Sequence, residues 1–168
     1  MERKNQVSSE LIERVVAINR VSKTVKGGKR FRFSVLVVVG DGESKVGLGM
    51  GKAREISEAV RKGMEAAKKA MVPLKKEGNT IPHPILGRYG STQVLLRPAP
   101  EGTGVISGGV VRAIMELGGV KNVMGKVVAR ANNPINVAHA TFSALAGLRT
   151  RDEIMALRGK NRAAEEAK

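Results

Sequence analysis

Apolar residues in the first quarter of the chain follow the period of a β-strand. The segment LIERVVAIN, residues 11–19, is rich in β-branched residues and predicts a strand. In the segment FRFSVLVVVG, five apolar residues share one face of a second strand: Phe31, Phe33, Val35, Val37 and Val39. A glycine turn at residues 40–42 leads to a third, short strand around residues 45–48, so we expect an antiparallel hairpin.

The apolar period becomes helical after residue 52. Over residues 53–71 one apolar stripe recurs every three or four positions: Ile56, Val60, Gly63, Ala67 and Met71. The pairs Glu58–Lys62 and Glu65–Lys69 place an acid one turn before a base, which supports a helix by a few tenths of a kcal/mol each. Pro73 and the LKKEGN segment end this helix and predict a linker.

Strands and then helices are predicted again from about residue 80. Two strands, in TIPHPILGRYG and STQVLLRP, are joined by a turn over residues 87–90. Ser107 is placed to cap a helix that ends at Leu117, before two glycines. The segment VKNVMGKVVA predicts another strand.

A last long helix is predicted from about residue 135 to residue 146, opened by Pro134. Its inward-facing residues are expected to be Ile135, Ala138, Phe142 and Leu145. The charged, alanine-rich tail after Thr150 predicts one or two helical turns. The whole pattern predicts two small domains of strands followed by helices, joined near residues 72–80.

Charge gives the first indication of a partner. The 168 residues include 30 Lys and Arg against 15 Asp and Glu, a net charge of +15. Such an excess predicts a polyanionic partner, most often nucleic acid. An acidic membrane surface is the other candidate, but the sequence predicts no basic amphipathic helix with the bulky apolar face that membrane binding needs. The N-terminal segment lacks the apolar region of a signal peptide, and we expect a cytoplasmic protein.

Residues that carry enzyme chemistry are scarce. Cysteine is absent and His83 and His139 stand alone, so no metal site is readable. No Ser-His-Asp arrangement or pair of carboxylates is apparent, and we expect neither an enzyme nor a cofactor. Aromatic residues are few, which argues against a platform that stacks single-stranded bases and favours contacts to the RNA backbone.

The segment VGLGMGKAREI has the glycines of a phosphate-binding loop but not the spacing. The Walker A loop fails at Val46 and at Ala53, and Lys52 stands where the dinucleotide fingerprint needs its third glycine. We expect instead that Gly49 and Gly51 allow a close backbone approach. A helix start flanked by Lys52 and Arg54 would then bind a phosphate of an RNA strand.

Positive charge is most concentrated between Arg20 and Arg32. Six cations lie there, and no acid occurs between Glu13 and Asp41. Because Gly27 and Gly28 place the tip in a tight, protruding turn, the like charges repel unless a counter-charge is present. We expect this loop to contact RNA rather than to be a plain solvated loop.

Glycines also surround a helix start in PAPEGTGVISGGVVRA, residues 98–113. The segment weakly resembles the phosphate loop of small-molecule kinases of the galactokinase and homoserine kinase type. Such kinases need a magnesium-binding acid and a catalytic base, and Glu101 and Glu116 are the only nearby acids. The alternative is a tight connection whose exposed amides meet RNA or a neighbouring protein.

Four blocks closely resemble bacterial small-subunit ribosomal protein five, in order and at the family's spacing, within a resemblance that covers residues 11–150. The blocks are NRVSKTVKGGKRFRFSVLVVVGDG, VGLGMGKAREI, EGTGVISGGVVRAIMELGGV and NNPINVAHAT. The resemblance implies an α+β fold with two small domains. The N-terminal β-β-β-α domain would be similar to the double-stranded-RNA-binding fold, and the C-terminal α/β domain would contain a left-handed β-α-β crossover.

The domain bounds that we expect are a flexible N-terminus at 1–10, the double-stranded-RNA-binding-like domain at 11–74, a linker at 75–80, the C-terminal domain at 81–150 and a charged tail at 151–168.

Leu48 and Met50 stand where the family often has aromatic residues. His139 stands where the family often has arginine.

The resemblance also implies a function. The chain would be a structural constituent of the small ribosomal subunit that binds its ribosomal RNA, supports assembly and contributes to translational accuracy. It implies small-subunit ribosomal proteins four and eight as neighbours, with the messenger RNA entry path nearby. The alternatives are a free-standing double-stranded RNA-binding regulator and, less favoured, a small-molecule kinase.

The charge pattern and the family resemblance together indicate the site residues. The residues expected to bind RNA are Arg20, Ser22, Lys23, Thr24, Lys26, Gly27, Gly28, Lys29, Arg30, Arg32, Gly49, Gly51, Lys52 and Arg54. The residues expected to contact a partner protein or RNA are Gly102, Thr103, Gly104, Ser107, Gly108, Gly109 and Arg112.

Overall fold

The computed structural model describes residues 11–128 and 133–159, and within these ranges the chain forms two four-stranded sheets and four helices. The strands are β1 (Ile12–Val25), β2 (Gly28–Gly40), β3 (Lys45–Ala53), β4 (Val72–Pro73), β5 (Ile85–Tyr89), β6 (Thr92–Pro98), β7 (Val105–Ile106) and β8 (Val123–Val127). The helices are α1 (Ile56–Lys69), α2 (Gly109–Leu117), α3 (Pro134–Gly147) and α4 (Arg151–Leu157). The N-terminus predicted at 1–10 and the end of the charged tail, at 160–168, lie outside the described residues.

The first sheet has the order β1-β2-β3-β4, and its first three strands pair antiparallel as predicted. Strand β3 continues to Ala53, so it is longer than the sequence pattern indicated, and α1 begins later, at Ile56. The glycine-rich segment therefore lies inside a strand rather than in a loop that opens a helix.

Asp41 fixes the turn between β2 and β3. Its carboxylate Oδ1 accepts hydrogen bonds from the backbone N–H groups of Glu43, Ser44 and Lys45, at 2.9, 2.8 and 2.8 Å. Partial burial raises the pKa of Asp41, but the hydrogen bonds together lower it by more, so its pKa lies below the ordinary value. The turn that joins β2 and β3 is thus held by an ionised side chain.

Helix α1 packs directly on the glycines of β3. A Cβ atom added to Gly47, Gly49 or Gly51 would overlap with a backbone carbonyl oxygen of the helix: Ala67, Gly63 and Ala59, respectively. The three glycines alternate along the strand, so all of them point to the same face of the sheet. Glycine is therefore required here because the backbones of the helix and the strand approach each other closely.

The buried stripe of α1 differs from the predicted one. Its buried residues are Ala59, Gly63 and Ala67, whereas Ile56, predicted to face inward, is 44 % exposed. Small residues occupy the centre of the contact because the helix lies close to the strand. The pair Glu58–Lys62 forms as predicted, with a nitrogen–oxygen distance of 3.6 Å.

Strand β2 is buried on both of its faces. On the face toward α1 lie three fully buried valines: Val35, Val37 and Val39. On the other face, Leu36 and Val38 belong to one core cluster with Ile114 and Leu117 of α2. The backbone N–H of Gly42 also donates a hydrogen bond to the carbonyl oxygen of Leu117, at 3.0 Å. The two sheets therefore share one hydrophobic core.

The second sheet has the order β5-β6-β8-β7, with β7 and β8 parallel and joined through α2. The predicted strands in this half are present, but β7 was not predicted. Gly87 lies within β5, pressed against α3, so the β5–β6 turn lies at Gly90 and Ser91 rather than at residues 87–90.

The predicted cap of α2 is wrong. Gly108 occupies the N-cap position, and the hydroxyl of Ser107, one residue earlier, is buried without a hydrogen-bond partner among the described residues. Ser107 instead packs against Gly125 of β8 and lies one residue before the N-cap position. The helix end at Leu117 is as predicted.

Helix α3 matches its predicted range within one residue at each end. The side chain of Asn133 caps it by accepting a hydrogen bond from the N–H of Ile135 at 3.1 Å. Of the residues predicted to face inward, Ala138 and Leu145 are buried, whereas Ile135 and Phe142 are half-buried. The rest of the buried stripe is made of Val137, Ala140, Thr141 and Ala144.

Helix α4 provides the one or two turns expected after Thr150, which caps it in a capping box with Glu153. Lys75 Nζ donates a hydrogen bond to Glu153 at 2.8 Å, and this contact with the ammonium group lowers the pKa of Glu153. The backbone N–H of Arg149 donates to His83 Nε2 at 3.1 Å. These contacts fasten α4 to the segment that connects the two sheets.

We predict that Gly49→Ala destabilises the protein, because the new methyl group would overlap with the backbone of α1 at Gly63. Overpacking of this kind costs about 2 kcal/mol or more, which in a chain of this size corresponds to a fall of roughly 4–8 °C in Tm. Thermal unfolding followed by circular dichroism measures it. Gly27→Ala is the matched control, since nothing lies within 4 Å of a Cβ there. Equal midpoints for the two variants would refute the packing role of Gly49.

Candidate nucleic-acid interface

The basic segment is a two-stranded arm, which we define as residues 19–34. Its register runs without a break from the pair Asn19–Ser34 to the pair Val25–Gly28, so the arm extends about 20 Å. Lys26 and Gly27 form the turn at its tip, and Gly28 has a positive φ of 118°. The strands are thus longer, and the turn shorter, than the sequence pattern indicated.

Over residues 20–32, neither face of the arm is covered by another layer in the described part of the chain. Burial of β2 begins at Ser34, and the residues nearer the tip on both strands are exposed apart from the half-buried Val25 and Phe33. A two-stranded ribbon without a covering layer is only marginally stable by itself. The arm therefore depends on β2 at its base for its position.

Alternation divides the arm residues between two faces. Cross-strand pairs share a face, and one face carries the pairs Lys23–Arg30 and Val21–Arg32. Lys52 of β3 lies opposite Ser34, on this same face. We call these four cations, Lys23, Arg30, Arg32 and Lys52, the cationic face. A shallow cavity of about 330 Å³ lies on it, lined by Val21, Ser22, Lys23, Val25, Arg30 and Arg32.

The other face of the arm is less strongly charged. It carries the pairs Ser22–Phe31 and Thr24–Lys29, together with Arg20. The guanidinium carbon of Arg20 lies 4.0 Å from the centroid of the Phe31 ring, a cation–π contact. Phe31 remains 45 % exposed. The arm is therefore cationic on both faces, and the Phe31 ring is already occupied on one side.

Like charges face each other across the arm. Lys23 and Arg30 are directly opposite, and such pairs destabilise a sheet. No ion pair joins an arm cation to an acid among residues 11–128 and 133–159. The free protein thus holds an electrostatic strain that a polyanion would relieve.

The structure gives the glycines of the VGLGMGKAREI segment a different role from the predicted one. Gly49 and Gly51 are buried under α1, so their close approach is to that helix and not to RNA. Lys52 projects from β3 rather than from a helix start, and α1 begins with Glu55 at its N-cap and Glu58 in its first turn. An anion would meet these acids at the helix end. The phosphate-binding hypothesis therefore rests on Lys52 and Arg54, which are exposed, and no longer on the helix start.

Leu48 and Met50 have different environments although both point to the face of the sheet that carries Lys52. Leu48 is half-buried and packs on the core shared by the two sheets. Met50 is 43 % exposed. Packing thus accounts for Leu48, and Met50 lies beside the cationic face.

The second candidate segment, residues 102–112, is held by a residue that the sequence did not single out. Asn122 Oδ1 accepts a hydrogen bond from the N–H of Gly104 at 3.1 Å, and the φ of Gly104 is +74°. Arg112 Nη2 donates to the carbonyl oxygen of Val105 at 3.1 Å. No local sequence pattern distinguishes Asn122, because its partner Gly104 is 18 residues away in the chain, at the other end of the β7-α2-β8 unit.

The exposure of this segment is uneven. Gly102, Gly108, Gly109 and Arg112 are exposed, whereas Thr103, Gly104 and Ser107 are half-buried. The N–H of Gly104 is already bound to Asn122. Exposed amides are therefore available at the start of α2. Residues 102–112 are far from the arm in the chain and form a separate candidate surface.

Two family models match the chain. The model described as "Ribosomal protein S5, N-terminal domain" matches residues 11–75. The model described as "Ribosomal protein S5, C-terminal domain" matches residues 87–158. The chain belongs to the ribosomal protein S5 family. An S5 protein is a structural, RNA-binding component of the small ribosomal subunit and takes part in translation, so the family is not an enzymatic one.

Two further findings describe the structure of this S5 family member. In the parts of the chain that the structure describes, no helix is long and apolar enough to cross a membrane. Within the same residues, no group of three or more His, Asp or Glu side chains is placed to hold a metal ion.

We predict that Lys23→Gln stabilises the arm in the free protein, because it removes the repulsion across the pair with Arg30. The gain should be about 0.2–1 kcal/mol and should shrink as salt is added. Hydrogen exchange of the arm amides, compared at low and high salt, measures it. Lys62→Gln on α1 is the control and should leave arm exchange unchanged. Faster arm exchange in Lys23→Gln would contradict the assignment.

Proposed function

We propose that the arm, with Lys52 and Arg54 at its base, binds a helical segment of small-subunit ribosomal RNA and so supports assembly of the subunit. The observation that carries the proposal is the concentration of cations on an uncovered arm without acidic partners in the described residues. A folded chain tolerates such an arm when a polyanion supplies the missing charge. Ribosomal RNA is the polyanion that S5 family membership indicates.

The side chains of the arm favour recognition of the RNA backbone over recognition of bases. Lysine and arginine neutralise phosphates and release counterions, a contribution that does not depend on sequence. Ser22 and Thr24 add hydroxyl groups for phosphate or 2′-hydroxyl contacts. Phe31 has Arg20 on one side of its ring, which leaves a single ring side for a base. We therefore expect shape and charge to select the RNA.

A contribution to translational accuracy is proposed for the segment at residues 102–112. Its exposed glycines at the start of α2 and the 50 % exposure of Ile106 suit contact with a neighbouring protein. In the resemblance described above, this neighbour is small-subunit ribosomal protein four. Protein eight as a second neighbour and a position near the messenger RNA entry path are proposed on the same resemblance.

The alternative functions are less well supported. A free-standing RNA-binding regulator would use the same arm, but it does not explain two S5 family matches that together span most of the chain. For a small-molecule kinase, the loop at residues 102–104 would have to offer its amides to phosphate, whereas the N–H of Gly104 is held by Asn122.

We predict that Arg30→Gln weakens binding to small-subunit ribosomal RNA and reduces its salt dependence. Loss of one phosphate contact should lower the slope of log K against log salt by about 0.7–0.9. Fluorescence titration of the RNA over a series of salt concentrations measures both quantities. Lys62→Gln removes the same charge from α1, where Lys62 pairs with Glu58, and should leave the slope unchanged.

Two outcomes would contradict the proposal. The first is an identical slope for Arg30→Gln and the unsubstituted protein, which would remove Arg30 from the phosphate contacts. The second is recovery of the protein only in the soluble fraction when small subunits are sedimented in high salt. That result would favour the free-standing regulator instead.

A further inference from the structure

His83 lies in the segment that connects the two sheets, and each of its ring nitrogens has a backbone partner. The backbone N–H of Arg149, between α3 and α4, points at Nε2, with 3.1 Å between the two nitrogens. Nδ1 lies 3.0 Å from the carbonyl oxygen of Pro84. The ring therefore has an N–H donor on one side and a carbonyl acceptor on the other.

One state of the ring satisfies both partners. A neutral imidazole has one N–H donor and one acceptor nitrogen, whereas a protonated imidazole has two donors. Nε2 must accept from the N–H of Arg149, and Nδ1 must carry the proton that is donated to Pro84. The hydrogen bonds therefore assign a neutral His83 with its proton on Nδ1. Protonation of Nε2 would set two N–H donors against each other.

The surroundings of His83 oppose a further positive charge. His83 lines a crevice of about 310 Å³, and Glu77 is the only acid among the described residues that line it. Three arginines line the same crevice, one before α4, one at its start and one just after its end: Arg149, Arg151 and Arg158. Asp152 lines the neighbouring cavity, where Lys76 is also present. Cations outnumber acids around His83, so protonation would add repulsion to the loss of the hydrogen bond.

Helix α4 has few other contacts that hold it in place. It has seven residues, none of them buried, and a helix of this length is unstable by itself in water. Two half-buried side chains of α4 line the crevice with His83: Ile154 and Met155. Lys75 and Glu153 form an ion pair at 2.8 Å, but both side chains are well exposed, and such pairs contribute little. The position of α4 therefore depends in large part on the hydrogen bond between Arg149 and His83.

We propose that His83 is a pH switch, which holds α4 against the connecting segment while its ring is neutral and releases α4 when the ring is protonated. Histidine is the side chain whose charge ordinarily changes between about pH 5 and pH 8. Because the contact requires the deprotonated ring, α4 is held above this range and released as the pH falls through it. The switch concerns α4 alone and is independent of RNA binding by the arm.

The ion pair of α4 responds to pH in a different range. The contact with the Lys75 ammonium group lowers the pKa of Glu153 below its ordinary value. Stability from a carboxyl group of this kind is present above the pKa of the unfolded chain and is lost as the pH falls through the folded value. The pair is therefore intact between about pH 5 and pH 8. A release of α4 within that interval does not come from Glu153.

The tautomer of His83 is tested by nuclear magnetic resonance of the ring nitrogens. At about pH 7.5, above the ordinary histidine range, the spectrum should show a protonated Nδ1 and an unprotonated Nε2. The chain has two histidines, so His139, whose ring stacks on that of Tyr89, is the internal comparison. A proton on Nε2 of His83 would overturn the proposal, because that nitrogen could not accept from Arg149.

Release of α4 is measured by hydrogen exchange of the hydrogen-bonded amides at residues 149–158 in the full chain. Lowering the pH from about 7.5 to about 5.5 should reduce their protection factors, corrected for intrinsic rates, by about three- to tenfold. The amides of α1 and β2 should keep their protection, because His83 belongs to neither core cluster. Unchanged protection at residues 149–158, or an equal loss across the whole chain, would overturn the proposal.

Three variants separate the titration of His83 from other effects of acid. His83→Gln offers a carbonyl oxygen near the position of Nε2 but does not titrate, so α4 should stay protected at both pH values. His83→Lys brings a permanent cation and no acceptor, so α4 should be released at both. His139→Gln is the matched control and should retain the full pH dependence. Thermal unfolding of each variant shows that the fold is retained.

Two results with these variants would contradict the switch. One is a loss of α4 protection in acid that is as large in His83→Gln as in the unsubstituted chain. The other is a His83→Lys chain whose α4 remains protected at the higher pH. None of these measurements contains RNA, so either result would leave the proposed ribosomal function as it stands.

Discussion

The structure depends on a single strand that is buried on both of its faces. In β2, Val35, Val37 and Val39 meet α1, whereas Leu36 and Val38 meet the core that includes α2. A strand in an isolated small domain would expose one of these faces. Because β2 serves both cores, the hydrophobic effect that folds the first sheet also fixes the second sheet against it. The division into two domains is thus clear in the sheets and not in the core.

The same strand provides the base of the arm that we propose binds RNA. Beyond Ser34, toward the tip, β2 loses its apolar cover and takes up Arg32, Arg30 and Lys29 on exposed positions. Burial at one end fixes the direction of the strand, and the other end presents exposed charge. The repulsion between like charges in the arm therefore acts where it disturbs no core residue. Burial that stabilises the fold and charge available to a partner are thus separated along the length of β2.

Periodicity in the sequence predicted most of the elements but not the packing between them. The longer strands and α3 were correct in kind because each has a strong local pattern, whereas the two-residue strands β4 and β7 were not predicted. The glycine-rich segment was misinterpreted, although Gly47, Gly49 and Gly51 recur at the period of two that marks one face of a strand. The hydrogen bond of Asn122 to Gly104 and the pairing of Lys23 with Arg30 depend on register, which local patterns leave undetermined. The concentration of cations near the β1–β2 turn could thus be predicted from the sequence, its arrangement on two faces could not, and its role in binding RNA stays a prediction.

Charge alone does not indicate what a surface of this chain binds, because the arm and the face of the second sheet that points away from α2 and α3 are both positive. They differ in what lies between the cations. The arm has Ser22 and Thr24 among its charges, whereas that face of the second sheet has Leu95 and Met124. A phosphate backbone gains from the hydroxyl groups but does not compensate for covered aliphatic surface. In a strongly basic protein, the apolar content of each surface therefore indicates which class of partner it binds.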